Sequence, residues 1–420
     1  MKKFWKLSAS VAMVWVAFAF VAIAARGEDK PPPKIAAIVT AYYHNSHADV
    51  IAGRLLDGYT LDGKGDFPRL KLVSLYTDQV PANDISREVA KKHGVPIFDK
   101  PADALTLGTG KLAVDGVLLI CEHGEYPESP TGSIQYPKRR LFAEIVKVFE
   151  ASGRVVPVFS DKHLSDNWED AKWIYDSAQR LKIPMMAGSS LPVLWRYPPA
   201  DVARGAKLKE LVAISYHRLD TYGFHALEFA QALVERRFGG ETGIKAVRCL
   251  GGDAVWQASE RGDFDRRLLD EALSRIKDRP LPKDKRIEDL AKEPQLMLIE
   301  YNDGLRVAIV TLNYAVGEWT AAWRFGDDRT DSTLFWTQEN RPFMHFTHLL
   351  RGVETMFHTG QPTWPVERTL LTSGVLDALL QSRKQNGARL ETPQLGVTYQ
   401  STWNWQQPPP PPPDRPIQGK

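Results

Sequence analysis

The hydrophobic pattern of the first half alternates between two periodicities. Short continuous apolar runs, such as Lys34–Thr40 and Val114–Ile120, alternate with stretches of helical spacing, such as Leu141–Ser152. Continuous apolar runs are typical of parallel strands buried on both faces, and strand–helix alternation favours right-handed crossovers. Residues 34–192 are therefore predicted to form an α/β domain with a doubly wound parallel sheet. Further predictions there are a helix at Ala48–Gly58 and a short strand at Val95–Phe98.

After residue 192 the pattern changes to strands joined by short turns. Leu296–Tyr301 and Arg306–Asn313 are predicted strands, and Asn302-Asp303-Gly304 between them is a hairpin signal. Strands joined in this way favour antiparallel pairing. Residues 193–395 are therefore predicted to form an α+β domain with a mostly antiparallel open sheet. Late helices are expected at Phe346–His358 and Val366–Gln385.

Both ends of the chain depart from this globular pattern. Residues 1–25 combine three lysines with the apolar run Leu7–Ile23 and a small-x-small cleavage pattern. They predict a secretory signal peptide, with an uncleaved membrane anchor as the alternative, so the protein is expected outside the cytoplasm, periplasmic or secreted. Residues 396–420 contain the proline run Pro408–Pro413 and are predicted to form a disordered tail.

Composition narrows the range of partners. The 420 residues are 43% hydrophobic and 25% charged, which is a globular balance. Without residues 1–25, which carry Lys2, Lys3 and Lys6 and no acid, 51 basic and 51 acidic side chains remain. A neutral chain has no electrostatic basis for binding nucleic acid or, beyond the signal segment, a membrane. Cys121 and Cys249 are too few for a disulfide scaffold and are expected as buried free thiols.

The residues that follow the predicted strands are the candidates for chemistry. In an open parallel sheet the ligand lies beyond the carboxyl ends of the strands. Polar and ionisable side chains follow the first, second, fourth and fifth predicted strands, namely His44, His47, Asp78, Glu122, His123, Lys162 and His163.

Three stretches stand in the order and spacing of motifs in a known family: Val114–Ile120, Ser160-Asp161-Lys162-His163 and Gly223–Glu228. Over residues 34–395 the chain resembles the Gfo/Idh/MocA oxidoreductases. Val114–Ile120 looks like the fourth strand of that family, and Ser160-Asp161-Lys162-His163 is similar to its Glu-Lys-Pro stretch. Gly223–Glu228 resembles its His-x-x-Asp helix start. The resemblance implies a Rossmann-like domain, NAD or NADP as cofactor, and oxidation of a sugar-like or polyol substrate. It also implies a homo-oligomer formed through the C-terminal sheet.

Three residues receive catalytic roles from this resemblance. Lys162 would bind the reacting hydroxyl, His225 would act as general base, and Glu228 would orient His225. The alternatives are a surface lysine, a histidine hydrogen-bonded at a helix start, and an acid that complements the helix dipole. Cofactor contacts would fall to Asp78, His44 and Glu122.

One departure from the family pattern bears on the cofactor. The family binds its dinucleotide at a Gly-x-Gly-x-x-Gly turn, but Thr40–His47 contains no glycine. The side chains of Tyr42, Tyr43 or His44 are expected to fill the pyrophosphate space and to prevent NAD(P) binding at sub-millimolar concentration. The alternative function is therefore a cofactor-free carbohydrate-binding site, or a metal- or acid–base-assisted one, on the same fold.

A divalent metal ion is a further hypothesis. His44, His47, His123 and His163 all follow predicted strands at the same sheet edge. Imidazole groups with nearby carboxylates suit zinc and related ions. The alternative is that these histidines bind one another or a sugar.

Overall fold

The sequence folds into one parallel and one mostly antiparallel sheet in a computed structural model that describes residues 31–411. The predicted signal segment, residues 1–25, lies outside the described residues. From Pro33 onward the described residues form one compact unit. The strands of the first sheet are β1 (Lys34–Val39), β2 (Lys71–Thr77), β3 (Gly116–Ile120), β4 (Val158–Asp161) and β5 (Met185–Gly188).

The first sheet confirms the prediction of a doubly wound parallel domain. Its strand order is β2-β1-β3-β4-β5, and every neighbouring pair is parallel. β1 lies beside β3, with Val39 opposite Ile120. The carboxyl ends of both strands therefore meet at one edge, where a ligand crevice is expected.

Helices cover both faces of this sheet. The helices of residues 31–411, including those that pack on the second sheet, are α1 (His47–Ile51), α2 (Arg54–Asp57), α3 (Ser86–His93), α4 (Pro101–Thr106), α5 (Lys138–Ser152), α6 (Trp168–Leu181), α7 (Phe224–Val234), α8 (Asp253–Glu260), α9 (Arg266–Leu273), α10 (Ile287–Leu290), α11 (His345–Thr359) and α12 (Val366–Lys384). Ala36 and Ile38 pack towards α5 and α6, while Ile35, Ala37 and Val39 pack towards α1 and α11. The late helix α11 thus completes the core of the first sheet, although it lies in the 193–395 range of the predicted second domain.

The second sheet is mostly antiparallel, as predicted. Its strands are β6 (Trp195–Tyr197), β7 (Leu208–Ser215), β8 (Ile244–Gly251), β9 (Gln295–Tyr301), β10 (Arg306–Thr311), β11 (Trp319–Phe325), β12 (Thr330–Trp336) and β13 (Leu390–Glu391). The order is β13-β8-β9-β10-β7-β11-β12-β6, and only β7 and β10 pair in parallel. β9 and β10 form the predicted hairpin.

The segment at residues 251–277 covers part of the second sheet. Its helix α9 packs on β7, β11 and β12. Arg275, just after α9, donates to Ser332, whose partner across the ladder is Ala322. Trp319, on the opposite face of β11, contacts Phe229 of α7. Residues 251–277 therefore cover part of the outer face of the sheet through which the family resemblance implies a homo-oligomer. The homo-oligomer itself stays a prediction.

Two local predictions were wrong. Val95–Phe98 makes only an isolated bridge between Leu75 and Ile97, because Pro96 has no N–H to donate to a ladder. The helix predicted at Ala48–Gly58 is broken at Gly53 into α1 and α2. A Cβ at Gly53 would lie 2.1 Å from the carbonyl oxygen of Asp49, so only glycine fits this junction.

The disordered tail predicted for residues 396–420 is wrong for its described part, residues 396–411. The Trp405 indole N–H donates to the carbonyl of Leu194, and the Trp195 indole N–H donates to that of Pro409. The guanidinium of Arg196 lies 4.3 Å from the centre of the Trp405 ring. The buried Trp195 and the half-buried Trp405 thus hold in place a segment whose proline content alone suggested disorder.

Two further features of the described residues are the state of the two cysteines and the apolar character of the helices. Cys121 and Cys249 are buried and free, as expected. Burial raises the pKa of both thiols to about 12. Within residues 31–411, no helix combines the length and the apolar character needed to cross a bilayer.

We expect Arg368→Leu to lower the free energy of unfolding by about 3–5 kcal/mol, because it leaves the buried Glu235 carboxylate without its counter-charge. Arg368 Nε lies 2.9 Å from Glu235, and the Tyr399 hydroxyl donates to the same carboxylate. The matched control is Arg389→Leu at a half-exposed pair with Glu300, which should cost about 1 kcal/mol or less. Denaturant unfolding measures both values, and equal losses would contradict the expectation.

Candidate functional site

A cavity of about 320 Å³ opens at the carboxyl ends of the first sheet. The loops after β1, β3 and β4 contribute His47, Glu122, His123 and Lys162. The opposite wall belongs to elements of the second half and consists of Thr221, Tyr222, His225, Trp319, His345 and Phe346. Lys162 and His225, the residues that the family resemblance singled out, therefore line the same cavity.

Lys162 is held by a buried carboxylate. Its Nζ lies 3.0 Å from Glu122 Oε2, and Lys138 Nζ lies 3.3 Å from the other oxygen of Glu122. All three side chains are buried. Burial alone would favour a neutral Glu122, but the two lysine charges outweigh it and hold the pKa of that carboxyl well below its ordinary range. Glu122 thus positions Lys162, and the cofactor contact that the resemblance implies for Glu122 stays a prediction.

Lys138 also fixes the backbone beneath Lys162. Its ammonium group donates to the carbonyl oxygens of Asp161 and Lys162. This buried cation has two carbonyl acceptors and the charge of Glu122 at 3.3 Å, which are the partners that burial requires. The loop that carries Lys162 is therefore held in place by contacts on both sides.

His225 is held by Ser189, the residue after β5. His225 Nδ1 lies 2.5 Å from the Ser189 hydroxyl oxygen. Burial, followed by the charges of Lys162 and His47, lowers the pKa of His225 well below its ordinary value. The ring is consequently neutral at physiological pH, as a general base must be.

Glu228 contacts Ser189, which in turn contacts His225, so an orienting role for Glu228 stays a prediction. One Glu228 oxygen accepts the backbone N–H of Ser189 at 3.3 Å, and the other accepts the Thr372 hydroxyl at 2.7 Å. Burial raises the pKa of Glu228. A Cβ at Gly188 would lie 2.4 Å from this carboxylate and φ is +120° there, so glycine is required where β5 meets α7.

The histidines predicted to hold a metal ion occupy different surroundings. His47 Nδ1 lies 2.6 Å from Asp161 Oδ2, and its ring contacts that of His123 at 5.1 Å. His163 packs on Phe224, and the side chain of His44 is 65% exposed. Within residues 31–411, no group of three or more histidine, cysteine or acidic side chains is arranged to hold a metal. The metal hypothesis gains no support from this geometry.

Burial keeps two of these rings neutral. It lowers the pKa of His123 to about 4 and that of His163 to about 3. The nearby His47 further lowers the pKa of His123, and the charge of Lys138 further lowers the pKa of His163. Neutral rings at the sheet edge can donate or accept hydrogen bonds but add no positive charge to the cavity.

The turn after β1 does not fit a dinucleotide in its usual pose. In dinucleotide-binding folds, backbone N–H groups of this turn meet the pyrophosphate. Here the N–H of Asn45 donates to Asp49 Oδ2 at 2.8 Å, and Arg341 donates to the same oxygen at 2.6 Å. The chain's own carboxylate thus occupies the donors that an anion would need.

The bulky side chains of this turn act differently from what the sequence suggested. Tyr42 is fully buried in the core, so the expectation that it fills the pyrophosphate space is wrong for this residue. Tyr43 is half-buried, with its ring 5.3 Å from that of His123 at the crevice. His44 is largely exposed. Only Tyr43 therefore places bulk at the crevice.

Asp78, the candidate ligand for a cofactor ribose, is fully engaged inside the protein. Arg140 donates to both carboxylate oxygens, at 2.7 and 2.6 Å, and the hydroxyls of Tyr76 and Tyr126 donate to one oxygen each. Burial works against ionisation, yet these donors lower the pKa of Asp78. A ribose hydroxyl would have to displace one of them.

Sequence reasoning missed three residues of the site. Ser189 follows a predicted strand, and that position was the available signal. Lys138 begins a helix after a long loop and carries no local signal for burial beside Glu122. Trp319 lies on β11 of the second sheet, and it lines the cavity and stacks on Tyr222 with ring centres 5.6 Å apart.

Comparisons with known proteins identify the fold. No protein-family model and no curated protein sequence matches the chain. Among solved structures, GenD2 from gentamicin A biosynthesis in complex with NAD has a TM-score of 0.57 at 14% identity, covering 87% of this chain and 98% of that one. Scyllo-inositol dehydrogenase from Lactobacillus casei, with bound NAD(H) and scyllo-inositol, has 0.53 at 12%, covering 86% and 98%.

A probable dehydrogenase from Thermotoga maritima has a TM-score of 0.53 at 14% identity, covering 86% of this chain and 99% of that one. Similarity at this level of identity concerns the fold. The parallel sheet, the antiparallel sheet and the cavity between Lys162 and His225 thus belong to a chain with the fold of the Gfo/Idh/MocA dehydrogenases.

Proposed function

We propose that this protein binds a sugar-like or polyol ligand in the cavity and acts on one of its hydroxyl groups through Lys162 and His225. The observation that carries the proposal is that both side chains line one cavity, together with Trp319. A volume of about 320 Å³ lies at the small end of the range for ligand pockets, which suits a single sugar or cyclitol ring. The fold likeness to a dehydrogenase bound to scyllo-inositol supports this class of ligand.

Each of the two side chains is prepared for this role by a neighbour. Glu122 holds the Lys162 ammonium, which can donate a hydrogen bond to a ligand oxygen. When the Nδ1–H of His225 donates to the Ser189 hydroxyl oxygen, Nε2 carries no proton and is the ring nitrogen that accepts the proton of the ligand hydroxyl. The alkoxide that forms is then stabilised by the charge of Lys162.

A second candidate is an NAD(P)-dependent oxidoreductase. Its support is the fold likeness to dehydrogenases crystallised with NAD or NAD(H), and the presence of Lys162 and His225 at the cavity. It requires a dinucleotide pose that avoids Asp49 and Tyr43. We also propose, from residues 1–25 alone, that the protein is exported, and is membrane-anchored if the segment is not cleaved. Export weighs against this candidate, because NAD(P) would then have to be present outside the cytoplasm.

Lys162→Met and His225→Asn should each weaken polyol binding about 10- to 100-fold, because each removes a hydrogen bond that involves a charged or reacting group, worth about 1.5–3 kcal/mol. The matched control is Lys172→Met, an exposed lysine paired with Asp176 outside the cavity. Calorimetry with inositols and monosaccharides measures affinity, and thermal unfolding checks the fold. Unchanged affinity in both cavity variants would refute the proposal.

Titration with NAD(H) and NADP(H) separates the two candidates. We expect no binding tighter than roughly 1 mM, because Asp49 occupies the donors that a pyrophosphate needs. Binding in the micromolar range, measured by calorimetry on the purified protein, would favour the oxidoreductase. The polyol titration of the same sample is the positive control.

The pH dependence of ligand binding should lack the usual histidine step. Because the pKa of His225 is lowered well below its ordinary value, the ring stays neutral as the pH falls through about 6.5. Polyol affinity should therefore change by no more than about twofold between roughly pH 8 and pH 5.5. A step at pH 6–7 that disappears in His225→Asn would contradict the assignment of a neutral buried base.

A further inference from the structure

A second, larger cavity adjoins the first. Its volume is about 760 Å³, and Tyr222 and Glu339 line both cavities. The larger cavity contains neither Lys162 nor His225, and much of its lining comes from residues 216–222, which include most of the π-helix Leu219–Gly223, and from the β10–β11 connection. The two cavities are therefore adjoining compartments with shared walls.

Aromatic rings continue from the smaller cavity into the larger one. The Tyr222 ring lies 5.6 Å from Trp319 at an interplanar angle of 10°, and Trp319 lies 6.0 Å from His225. On its other side Tyr222 contacts His217 at 4.7 Å. Tyr314, which also lines the larger cavity, is 74% exposed. Aromatic side chains offer flat apolar surface beside a polar group, which suits the C–H faces of a sugar ring.

Two amide side chains that line the larger cavity each carry a buried oxygen without a hydrogen-bond partner within residues 31–411. Gln295 Oε1 and Asn313 Oδ1 are buried and have no hydrogen-bond partner among the described residues, and both side chains line the larger cavity. A buried polar atom without a partner is costly, and each amide would gain a partner by turning its oxygen towards a ligand hydroxyl in the cavity.

The charges of the larger cavity are mixed and partly neutralised within it. Arg218 pairs with Asp220 at 3.0 Å and lies 3.7 Å from Glu128. The other ionisable residues of the lining are two arginines and two glutamates, namely Arg279, Arg383, Glu293 and Glu339. Such a lining gives no preference for a polyanion, so a neutral polyhydroxylated ligand is the class that fits both the charges and the unpaired acceptors.

We propose that the larger cavity binds a second sugar unit, so that the ligand is a glycoside or short oligosaccharide whose terminal unit lies between Lys162 and His225. The proposal rests on the proposed function for the unit in the smaller cavity. The larger cavity has more than twice the volume of the smaller one, which leaves room for at least one further ring. Asn313 and Gln295 would accept hydrogen bonds from its hydroxyls, and Tyr314 would pack against it.

Calorimetry with matched saccharides tests the proposal. The probes are glucose, galactose and N-acetylglucosamine, and disaccharides built from each. At least one disaccharide should bind the wild type about tenfold more tightly than its monosaccharide. Asn313→Ala and Tyr314→Ala should each remove most of this gain and leave monosaccharide affinity within about twofold. The control Phe238→Ala, at a 67% exposed aromatic that lines neither cavity, should retain the gain.

The outcomes separate this proposal from the proposed function. If disaccharides bind no more tightly than monosaccharides, the proposal of a second sugar unit in the larger cavity is wrong. It is also wrong if the affinity gain of the disaccharide persists in both Asn313→Ala and Tyr314→Ala. A gain lost in those variants, with Lys162→Met and His225→Asn binding normally, would support the larger cavity and refute the proposed function. No saccharide binding at all would overturn both.

Discussion

The site depends on a buried carboxylate shared by two lysines. Glu122 lies at the end of a fully apolar strand, and without counter-charges its ionised form would cost several kcal/mol in this position. Lys138 and Lys162 supply those charges, and Lys138 also binds the backbone that carries Lys162. The lysine at the cavity wall is therefore held by the ion cluster beneath it. Burial, together with the positive charge of Lys162, lowers the pKa of His225 and favours its neutral form. The ion cluster thus affects both Lys162 and His225.

The turn after β1 differs from a dinucleotide-binding turn in the hydrogen bonds that its backbone makes. A dinucleotide-binding turn leaves backbone donors free for a phosphate, whereas this turn satisfies the N–H of Asn45 with the carboxylate of Asp49. Arg341, from the segment before α11, neutralises that carboxylate from outside. A fold can thus be retained while the residues that bind its usual cofactor are replaced, which is why fold likeness alone does not assign the reaction.

Part of the site could be predicted because it depends on local position. Lys162 was found because residues beyond a parallel strand face the ligand edge, and His225 because it matches a motif at a helix start. Their partners were not found in the same way. Glu228 bonds the backbone of Ser189, and the hydroxyl of Ser189 bonds His225. These two hydrogen bonds connect helix α7 to the end of strand β5, and no spacing along the sequence predicts such a connection.

The sequence by itself determined most of the element types, because apolar periodicity reports which faces are buried. It also determined the order of a parallel and then an antiparallel half, and the absence of glycine after β1. Only the tertiary structure decided what each charged side chain meets, that α11 returns to cover the first sheet, and that Trp405 fastens the proline-rich segment. The physical reason is that burial and ion pairing join residues far apart in the chain, and their energies depend on the packed surroundings and not on the local pattern.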